Sequence, residues 1–485
     1  MNFKNIGFLF FIGTFFSLST SLAQEKELYR GLYNSYDAFK EKSIEKRRFT
    51  QTQIQPIINE IKQKEMFKVV KVGESIEGRP LQLISVGSGD VDVFLWSQMH
   101  GDESTATMAI FDILNFLDSE AFSAEKEEML KKLKLHFLPM LNPDGAARFQ
   151  RRNLLGVDIN RDALRLQSPE SKALKWVRDS LDADFGFNLH DQSTYYNAER
   201  TPKPATISYL APAYDYEKSI NEVRAAAMRV IVQMNNILQE YAPGQVGRYN
   251  DDFEPRAFGD NIQKWGTSTI LIESGGYPND PEKQEIRKLN FVSILAAIFS
   301  IANEDYKNAD ISKYEEIPNN DRKLFDLKLT GLTYELLGKD YILDLGINQN
   351  EIQDENLNYF YDAYISDRGD LSTHYGYRNL NALGFKLVKA KIYPESFQNI
   401  EELQREDIFK MLKDGYAYVS LKELPEANAV KLPINLVAED FEVPENLEPN
   451  FFLEKEGALN YAVINGFLVV LSNEEVEVPN ALIID

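Results

Sequence analysis

The chain has 485 residues, enough for two domains with separate cores, and its 44% hydrophobic and 12% aromatic content is typical of a packed globular protein rather than a disordered one. Its formal net charge is -22 with lysine and arginine scattered along the chain, which argues against nucleic acid or an anionic membrane as a partner. There is no cysteine, which excludes disulfides, a thiol nucleophile and thiolate metal ligands.

Residues 1–23 have the pattern of a secretory signal peptide. Lys4 precedes an apolar run over residues 6–18, and the sequence Ser-Leu-Ala at 21–23 matches a small-x-small cleavage site. The run is short for a transmembrane helix, so an uncleaved anchor is the weaker alternative. We expect an exported protein, periplasmic or secreted, with no membrane span after signal removal.

Residues 24–303 alternate between helical and strand-like segments. Residues 25–65 have a helical period, and residues 67–87 predict a hairpin. Further strands are expected at 92–97, 135–141, 185–189 and 268–272, and helices at 104–117, from 169 onward, at 216–241 and at 281–301. Ser168 and Pro169 are suited to the N-cap and first position of a helix. The alternation predicts an α/β domain with a mixed, mostly parallel sheet flanked by helices.

The character of the chain changes after about residue 303. Residues 304–320 are polar and charged, which predicts a linker. From 321 to 485 most apolar runs are short and alternating, with one helical stretch near 401–412. This pattern predicts a smaller, β-rich accessory domain.

Two of the four histidines follow predicted strands. His100 begins the sequence His-Gly-Asp-Glu, which ends at Glu103, and His190 follows another strand. Because sites in open α/β sheets form at the carboxyl ends of strands, these side chains are expected to converge. Two imidazoles and one carboxylate are a known ligand set of catalytic zinc, with water in the fourth position. His136, inside a strand, and His374, in a polar turn, are not expected to bind metal.

Several motifs occur in an order that resembles the zinc carboxypeptidases of the carboxypeptidase A type. The resemblance extends from about residue 73 to residue 301 and rests on the order of the motifs, not on any single one. The motifs are Gly-Glu-Ser-Ile-Glu-Gly-Arg at 73–79, His-Gly-Asp-Glu at 100–103, Asn-Pro-Asp-Gly at 142–145, Gly-Val-Asp-Ile-Asn-Arg at 156–161 and Ile-Glu-Ser at 272–274.

The resemblance implies a metal site and a general base. His100, Glu103 and His190 would be the ligands of one Zn²⁺ ion. Asp158 would hold His100 in one tautomer; the alternative is that this aspartate only caps a turn. Glu273 would accept a proton from water and deliver it to the leaving amine.

The resemblance also implies residues that contact the substrate. Arg151 would stabilise the oxyanion, and spacing alone leaves the adjacent Arg152 as an alternative. Asn160 and Arg161 would bind a free C-terminal carboxylate, unless Arg161 only pairs with a neighbouring aspartate. Tyr249 is the nearest candidate for the tyrosine of the substrate loop. Arg256, in the same loop, is expected to be solvated at the surface, with contact to an acidic side chain as the alternative. Residues 191–195 are expected to line the pocket.

The function implied is therefore that of an exported zinc carboxypeptidase acting on peptides with a free C-terminus. An enzyme alternative keeps the zinc chemistry and cleaves a cell-wall γ-glutamyl bond or an N-acyl amino acid. A second alternative is a non-catalytic peptide- or glycan-binding protein. The presence of Glu273 beside the ligand set favours an enzyme, because a binding protein has no need of a general base.

Overall fold

A computed structural model describes residues 26–472 and 478–484. The predicted signal peptide at 1–23 lies outside the described residues. The chain forms two compact units, Met1–Arg322 and Lys323–Asp485. No helix of the described residues is long and apolar enough to cross a bilayer.

The first unit is built on a large mixed sheet. Its strands, with a short pair formed by β6 and β10, are β1 (Lys68–Glu74), β2 (Pro80–Gly87), β3 (Val91–Ser97), β4 (Leu133–Leu138), β5 (Phe185–Asp191), β6 (Asn197–Ala198), β7 (Ile207–Leu210), β8 (Val246–Arg248), β9 (Ser268–Ser274) and β10 (Asn320–Asp321). The eight-stranded sheet has the order β1-β2-β4-β3-β5-β9-β7-β8. Its four central strands, β4, β3, β5 and β9, are parallel, whereas β1, β2 and β7 are antiparallel to their inner neighbours.

Helices cover both faces of this sheet. They are α1 (26–35), α2 (Gln51–Ile61), α3 (Thr105–Asp118), α4 (Ser123–Lys132), α5 (Pro143–Ala146), α6 (Pro169–Leu181), α7 (Glu222–Tyr241), α8 (Phe258–Lys264), α9 (Gln284–Asn303) and α10 (Ser312–Glu315). Short 3-10 turns occur at Tyr36–Ala38, Ile159–Arg161 and Asp305–Asn308. One core lies between the sheet and α3, α7 and α9, and a second lies between the sheet and α6 and α8. The predicted α/β architecture is confirmed.

Helix ends follow local capping. Ser168 caps α6 by accepting a hydrogen bond from the backbone N–H of Ser171, and Pro169 occupies the first turn, as the sequence predicts. The predicted helix at 216–241 begins six residues too early. Asn221 accepts a hydrogen bond from the backbone N–H of Arg224 at 2.9 Å, which starts α7 at Glu222.

Residues 304–320 are ordered on the first unit, although their polar composition predicts a linker. They contain α10 and the Asp305–Asn308 turn. Tyr314 is fully buried, and its hydroxyl accepts a hydrogen bond from the backbone N–H of Ala211 at 3.0 Å. Ile317 joins the same core. A few apolar side chains spaced among charges are therefore enough to fix this segment.

The second unit is rich in β-structure, as predicted. Its strands are β11 (Leu324–Leu336), β12 (Lys339–Gln353), β13 (Tyr359–Gly369), β14 (Tyr375–Asn381), β15 (Lys386–Lys389), β16 (Lys391–Ile392), β17 (Tyr416–Ser420), β18 (Ala429–Val430), β19 (Asn435–Val437), β20 (Phe451–Lys455), β21 (Ala458–Ile464), β22 (Phe467–Val470) and β23 (Ala481–Ile484). They form an eight-stranded and a five-stranded sheet. The predicted helical stretch is two short helices, α11 (Ile400–Leu403) and α12 (Ile408–Lys413), because Asp407 caps the second.

A buried ion pair ties the N-terminal segment to the first unit. Asp112 on α3 and Arg287 on α9 are both inaccessible to solvent, and two guanidinium nitrogens donate to the carboxylate at 2.6 and 2.7 Å. Tyr36 donates to the same carboxylate at 2.8 Å. Arg287 also donates to the carbonyl of Ile44 at 2.7 Å. The pair therefore connects α3, α9 and the N-terminal segment that contains Tyr36 and Ile44.

We expect Asp112→Ala to lower the free energy of unfolding of the first unit by about 3–5 kcal/mol, because it leaves the Arg287 charge buried and unpaired. Urea unfolding followed by tryptophan fluorescence measures this unit alone, since Trp96, Trp176 and Trp265 all lie in it. The matched control is Asp118→Ala on the same helix, whose partly exposed pair with Lys64 should contribute less than about 1 kcal/mol. Equal effects of the two substitutions would contradict this account.

Candidate metal centre

His100 and Glu103 lie in the tight loop that follows β3. The backbone N–H of Glu103 donates to the carbonyl of His100 at 3.1 Å, which turns both side chains to one side. A Cβ atom on Gly101 would come within 2.1 Å of the backbone of Gly145, so the loop requires glycine here. The N-P-D-G motif is thus the surface against which the His-Gly-Asp-Glu loop packs.

His190 reaches the same place from the next strand of the sheet. It is the sixth residue of β5, which pairs in parallel with β3. Nδ1 of His190 lies 2.6 Å from one oxygen of Glu103, and Nδ1 of His100 lies 2.7 Å from the other. Possible ligand atoms of the three buried residues all lie within 4.8 Å of one another. The predicted convergence of strand ends is present.

The chemistry of this donor set fits zinc. Two imidazole nitrogens and one carboxylate are three of the four ligands of a tetrahedral catalytic site. Both histidines present the same ring nitrogen, Nδ1, toward Glu103, so one small cation between them would be reached by all three side chains. These three residues would hold the ion.

The protonation of the cluster reflects its buried carboxylate. Burial lowers the pKa of His100, but the charge of Glu103 and the hydrogen bond with Asp158 outweigh it and raise the pKa to about 9. Burial raises the pKa of Glu103, but the two imidazoles outweigh it and lower the pKa below its usual range. Burial lowers the pKa of His190. A divalent cation would take the place of the proton between these groups.

Asp158 supports His100 from the opposite side of the ring. Its Oδ1 lies 3.1 Å from Nε2 of His100 and also accepts the backbone N–H of Asn160 at 2.9 Å. A carboxylate at Nε2 keeps the proton on that nitrogen and leaves Nδ1 free for a metal. Asp158 therefore caps the Ile159–Arg161 turn and also contacts the imidazole of His100.

Arg151, and not Arg152, lies beside the cluster. Arg151 donates to Oε1 of Glu103 at 3.2 Å and to Oδ2 of Asp158 at 3.1 Å. Arg152 is exposed and donates to the carbonyl of Gly156 at 3.0 Å. Only the first of the two guanidinium groups is therefore in position to act on a group bound at the cluster.

Glu273 lies directly across from His190 on the neighbouring strand. The two residues are register partners in the parallel pair β5–β9, and Glu273 is 8% exposed. Burial and the nearby charge of Glu103 raise the pKa of Glu273 well above its usual value. No hydrogen bond to its carboxylate is found among the described residues. Glu103 and Glu273 thus lie in one site with opposite pKa shifts.

Tyr249 follows β8 at the rim of the same site. Its backbone N–H donates to the carbonyl of Tyr209 at 3.0 Å, and its ring packs edge-to-face on Tyr196 with centroids 6.2 Å apart. Burial raises the pKa of the Tyr249 hydroxyl, and the negative charge of Glu273 raises it further. Tyr249, the loop tyrosine proposed from the sequence, is therefore close enough to Glu273 for an electrostatic interaction.

Asn160 and Arg161 lie on the loop that follows Asp158. Asn160 is buried, and its side-chain oxygen accepts the backbone N–H of Phe258 at 2.8 Å. Arg161 donates to the carbonyl of Asn160 at 2.7 Å, and its Nε lies 3.4 Å from Glu254. Glu254 also accepts two hydrogen bonds from Arg256, at 3.0 and 2.9 Å. The pairing of Arg161 with Glu254, rather than with Asp158 or Asp162, was not expected from the sequence.

A buried lysine behind the site also escaped the sequence analysis. Nζ of Lys283 lies 3.0 Å from Asp191, which directly follows His190, and donates to the carbonyl of Ser274 at 3.0 Å. Thr105 donates to the same Asp191 carboxylate at 2.6 Å. Lys283 therefore bridges the ends of β5 and β9. Its position in the first turn of the helix predicted at 281–301 gave no signal, because surface lysines are common there.

The other two histidines are not part of the cluster. His136 is buried within β4, where its Nε2 lies 2.7 Å from Asp92 and its Nδ1 lies 2.8 Å from Ser85. His374 stacks on Phe325 in the second unit. Among the described residues, His100, Glu103 and His190 form the one group of three or more possible ligands.

The segment that contains this site is similar to a known protein family. The sequence profile described as zinc carboxypeptidase matches residues 56–265, which include His100, Glu103 and His190 but end before Glu273. Carboxypeptidase SOL1 of Arabidopsis thaliana is 28% identical over 178 residues, which are 30% of this chain and 36% of that protein. Carboxypeptidase E of Caenorhabditis elegans is 33% identical over 141 residues, which are 24% of this chain and 30% of that protein.

These matches are partial. The chain spans about a third of the length of the two relatives. Among solved structures, a metallo-carboxypeptidase from Burkholderia cenocepacia is 17% identical with a TM-score of 0.43, covering 53% of this chain and 70% of that chain. The profile match and the predicted resemblance fall on the same segment of the first unit. Residues 56–265 of this chain are therefore similar to the zinc carboxypeptidase family.

Proposed function

We propose that the first unit is a zinc-dependent carboxypeptidase that removes residues from the C-termini of peptides with one bound Zn²⁺ ion. The observation that carries this proposal is the convergence of His100, Glu103 and His190 within 4.8 Å, with Glu273 beside His190 on the next strand. A metal site needs the first three residues, and hydrolysis needs a base within reach of the metal.

When bound, zinc would supply a Lewis acid that lowers the pKa of water toward about 7 and polarises the scissile carbonyl. Glu273 accepts the proton of the attacking water and later delivers it to the leaving amine. Its raised pKa suits this exchange, because a carboxyl group that both takes and returns a proton works best near the pH of reaction. Asp158 keeps Nδ1 of His100 directed at the ion.

Arg151 stabilises the negative charge that develops on the carbonyl oxygen. Its guanidinium is held by Glu103 and Asp158, so its donors are oriented before the substrate arrives. Preorganised donors of this kind lower the barrier because they need no rearrangement during reaction. Its side chain is 43% exposed, which leaves a face available to substrate.

Asn160 and Arg161 bind the free carboxylate of the substrate. The planar guanidinium of Arg161 matches a carboxylate in two-point fashion, which favours the end of a chain over its middle. In the structure, a carboxylate oxygen of Glu254 lies 3.4 Å from Nε of Arg161. The substrate carboxylate would replace the Glu254 carboxylate at this guanidinium. Tyr249 lies near Glu273, whose charge contributes to the raised pKa of the Tyr249 hydroxyl. The signal-like residues 1–23 support export to the periplasm or medium as the place where this activity is used.

The zinc assignment is tested with a matched pair of histidine substitutions. His190→Ala should reduce bound zinc from about one ion per chain to a small fraction, because it removes one of three protein ligands. His136→Ala changes a buried histidine of the same sheet and should keep the metal. Metal content after dialysis is measured by inductively coupled plasma mass spectrometry. Equal zinc content in the two variants would contradict the assignment.

The general-base assignment is tested with Glu273→Gln. The amide retains the shape of the side chain but accepts no proton, so kcat should fall by about 10²- to 10⁴-fold while zinc content stays unchanged. Turnover is measured on a blocked dipeptide with a free C-terminal carboxylate. Glu240→Gln, on the exposed end of α7, is the control and should keep full activity. A fully active Glu273→Gln variant would overturn the mechanism.

The carboxylate site is tested by comparing free and amidated peptides. Arg161→Ala should lower kcat/KM for a free C-terminus by about 10- to 100-fold, since charged hydrogen bonds are lost, and should leave the poor rate on the amidated peptide unchanged. Arg256→Ala, in the neighbouring loop, should have a smaller effect. If the wild type cleaves amidated and free peptides equally, an exopeptidase is excluded. Cleavage of γ-glutamyl or N-acyl substrates alone would favour the amidase alternative.

A further inference from the structure

A second cavity of about 450 Å³ lies away from the metal centre, between α6 and the outer strands β1, β2 and β4. Its position along β4 is near the start of that strand, at Lys134 and His136, whereas the metal ligands follow the carboxyl ends of β3 and β5. Its size falls in the range of small-molecule sites. The site proposed above leaves this cavity without a role.

Most of the cavity wall is apolar. Phe67, Leu83 and Val177 form its buried part. Around its mouth, apolar side chains remain in contact with solvent: Met66 is 37% exposed, Val70 is 41% exposed and Trp176 is 57% exposed. Large apolar side chains grouped around a concave surface often mark binding sites.

A row of hydrogen-bonded polar groups starts in the cavity lining with Ser85 and His136 and continues to Asp92, which does not line the cavity. Ser85 lies opposite Lys68 on one side and opposite His136 on the other in the sheet register. Its hydroxyl lies 2.8 Å from Nδ1 of His136, and Nε2 of the same ring lies 2.7 Å from Asp92. Burial lowers the pKa of His136, which favours the neutral ring. In a neutral ring whose N–H is directed at Asp92, Nδ1 accepts the hydrogen bond of the Ser85 hydroxyl.

This row resembles a hydrolytic triad in its residue types but not in its setting. Ser85 lies in the middle of β2, which is paired on both sides, so the surrounding backbone groups belong to the sheet ladders. A hydrolase needs free N–H groups beside the nucleophile to stabilise the oxyanion. The row therefore lacks the free backbone donors that a nucleophile site needs.

The charges that line the cavity are mainly positive. Lys68 and Lys134 contribute two ammonium groups, and Glu65 contributes one carboxylate. Neither lysine has a hydrogen-bond or ion-pair partner among the described residues. A net positive lining is unusual in a chain whose formal charge is -22. Free ammonium groups above an apolar wall are complementary to an anionic head on an apolar body.

We propose that this cavity binds an amphipathic organic anion, with its carboxylate between Lys68 and Lys134 and its apolar body against Val177 and Trp176. The proposal is independent of the proposed peptidase function, because no residue of the cavity belongs to the metal centre.

The experiment uses decanoate as the probe and the full zinc-loaded chain. Saturable binding is measured by calorimetry and by the fluorescence change of Trp176, with decylammonium as the probe of equal length and opposite charge. The Lys68→Ala/Lys134→Ala variant should weaken decanoate binding at least about 10-fold, since two charged contacts are lost. Lys71→Ala, on the alternate face of β1, is the matched control and should bind as wild type.

Two further variants separate this site from other places where a carboxylate binds. Arg161→Ala should leave decanoate binding unchanged, because the proposed site does not include Arg161. Trp176→Phe should remove most of the fluorescence change while calorimetry still detects binding. The proposal is overturned if decanoate does not bind saturably, if decylammonium binds equally well, or if the double lysine variant binds as wild type.

Discussion

The carboxylate of Glu103 is the group on which the rest of the site depends. It is buried at the ends of two parallel strands, and each of its oxygens faces the Nδ1 atom of a different histidine. A buried carboxylate is costly unless positive charge compensates it. The imidazoles of His100 and His190 and the guanidinium of Arg151 provide that compensation, and they are the groups that would also surround a metal ion and its substrate.

The neighbouring carboxylate, Glu273, lies in the same sheet edge but has a different environment. Glu103 is compensated by cations and stays ionised, whereas burial and the charge of Glu103 favour the neutral form of Glu273. Two carboxyl groups with pKa values pushed apart are suited to separate tasks, one as a ligand and one as a proton carrier. The parallel pairing of β5 with β9 fixes both groups, because it sets Glu273 opposite His190.

Features that follow from local sequence were predictable. The alternation of strands and helices predicted the fold, and the positions of His100, Glu103 and His190 at the ends of predicted strands predicted that these side chains converge. The choice between Arg151 and Arg152 was not predictable, because the direction of two adjacent side chains is decided only when the loop folds. The pairing of Arg161 with Glu254 joins segments nearly a hundred residues apart, and no local pattern encodes it. The packing of residues 304–320 was not predictable either, because Tyr314 is an isolated apolar residue among charges, yet it fills a core position.

The metal centre and the cavity beneath α6 use the same sheet in different ways. At the carboxyl ends of the central strands, loops bring charged side chains together; near the edge formed by β1, β2 and β4, the sheet faces α6 through an apolar wall with a short polar row. This separation allows small-molecule binding at the edge without competition for the metal ligands. The second unit has its own cores and contributes none of the residues assigned to either place.

X-ray absorption at the zinc edge of the zinc-loaded protein tests the central claim most directly. The account predicts a first shell of nitrogen and oxygen at about 2.0–2.1 Å, with outer-shell scattering from two imidazole rings that drops to one ring in the His190→Ala variant if that variant is loaded with excess zinc. A shell of oxygen atoms alone, or a two-imidazole signal that persists after His190 is replaced, would contradict a centre built from His100, Glu103 and His190.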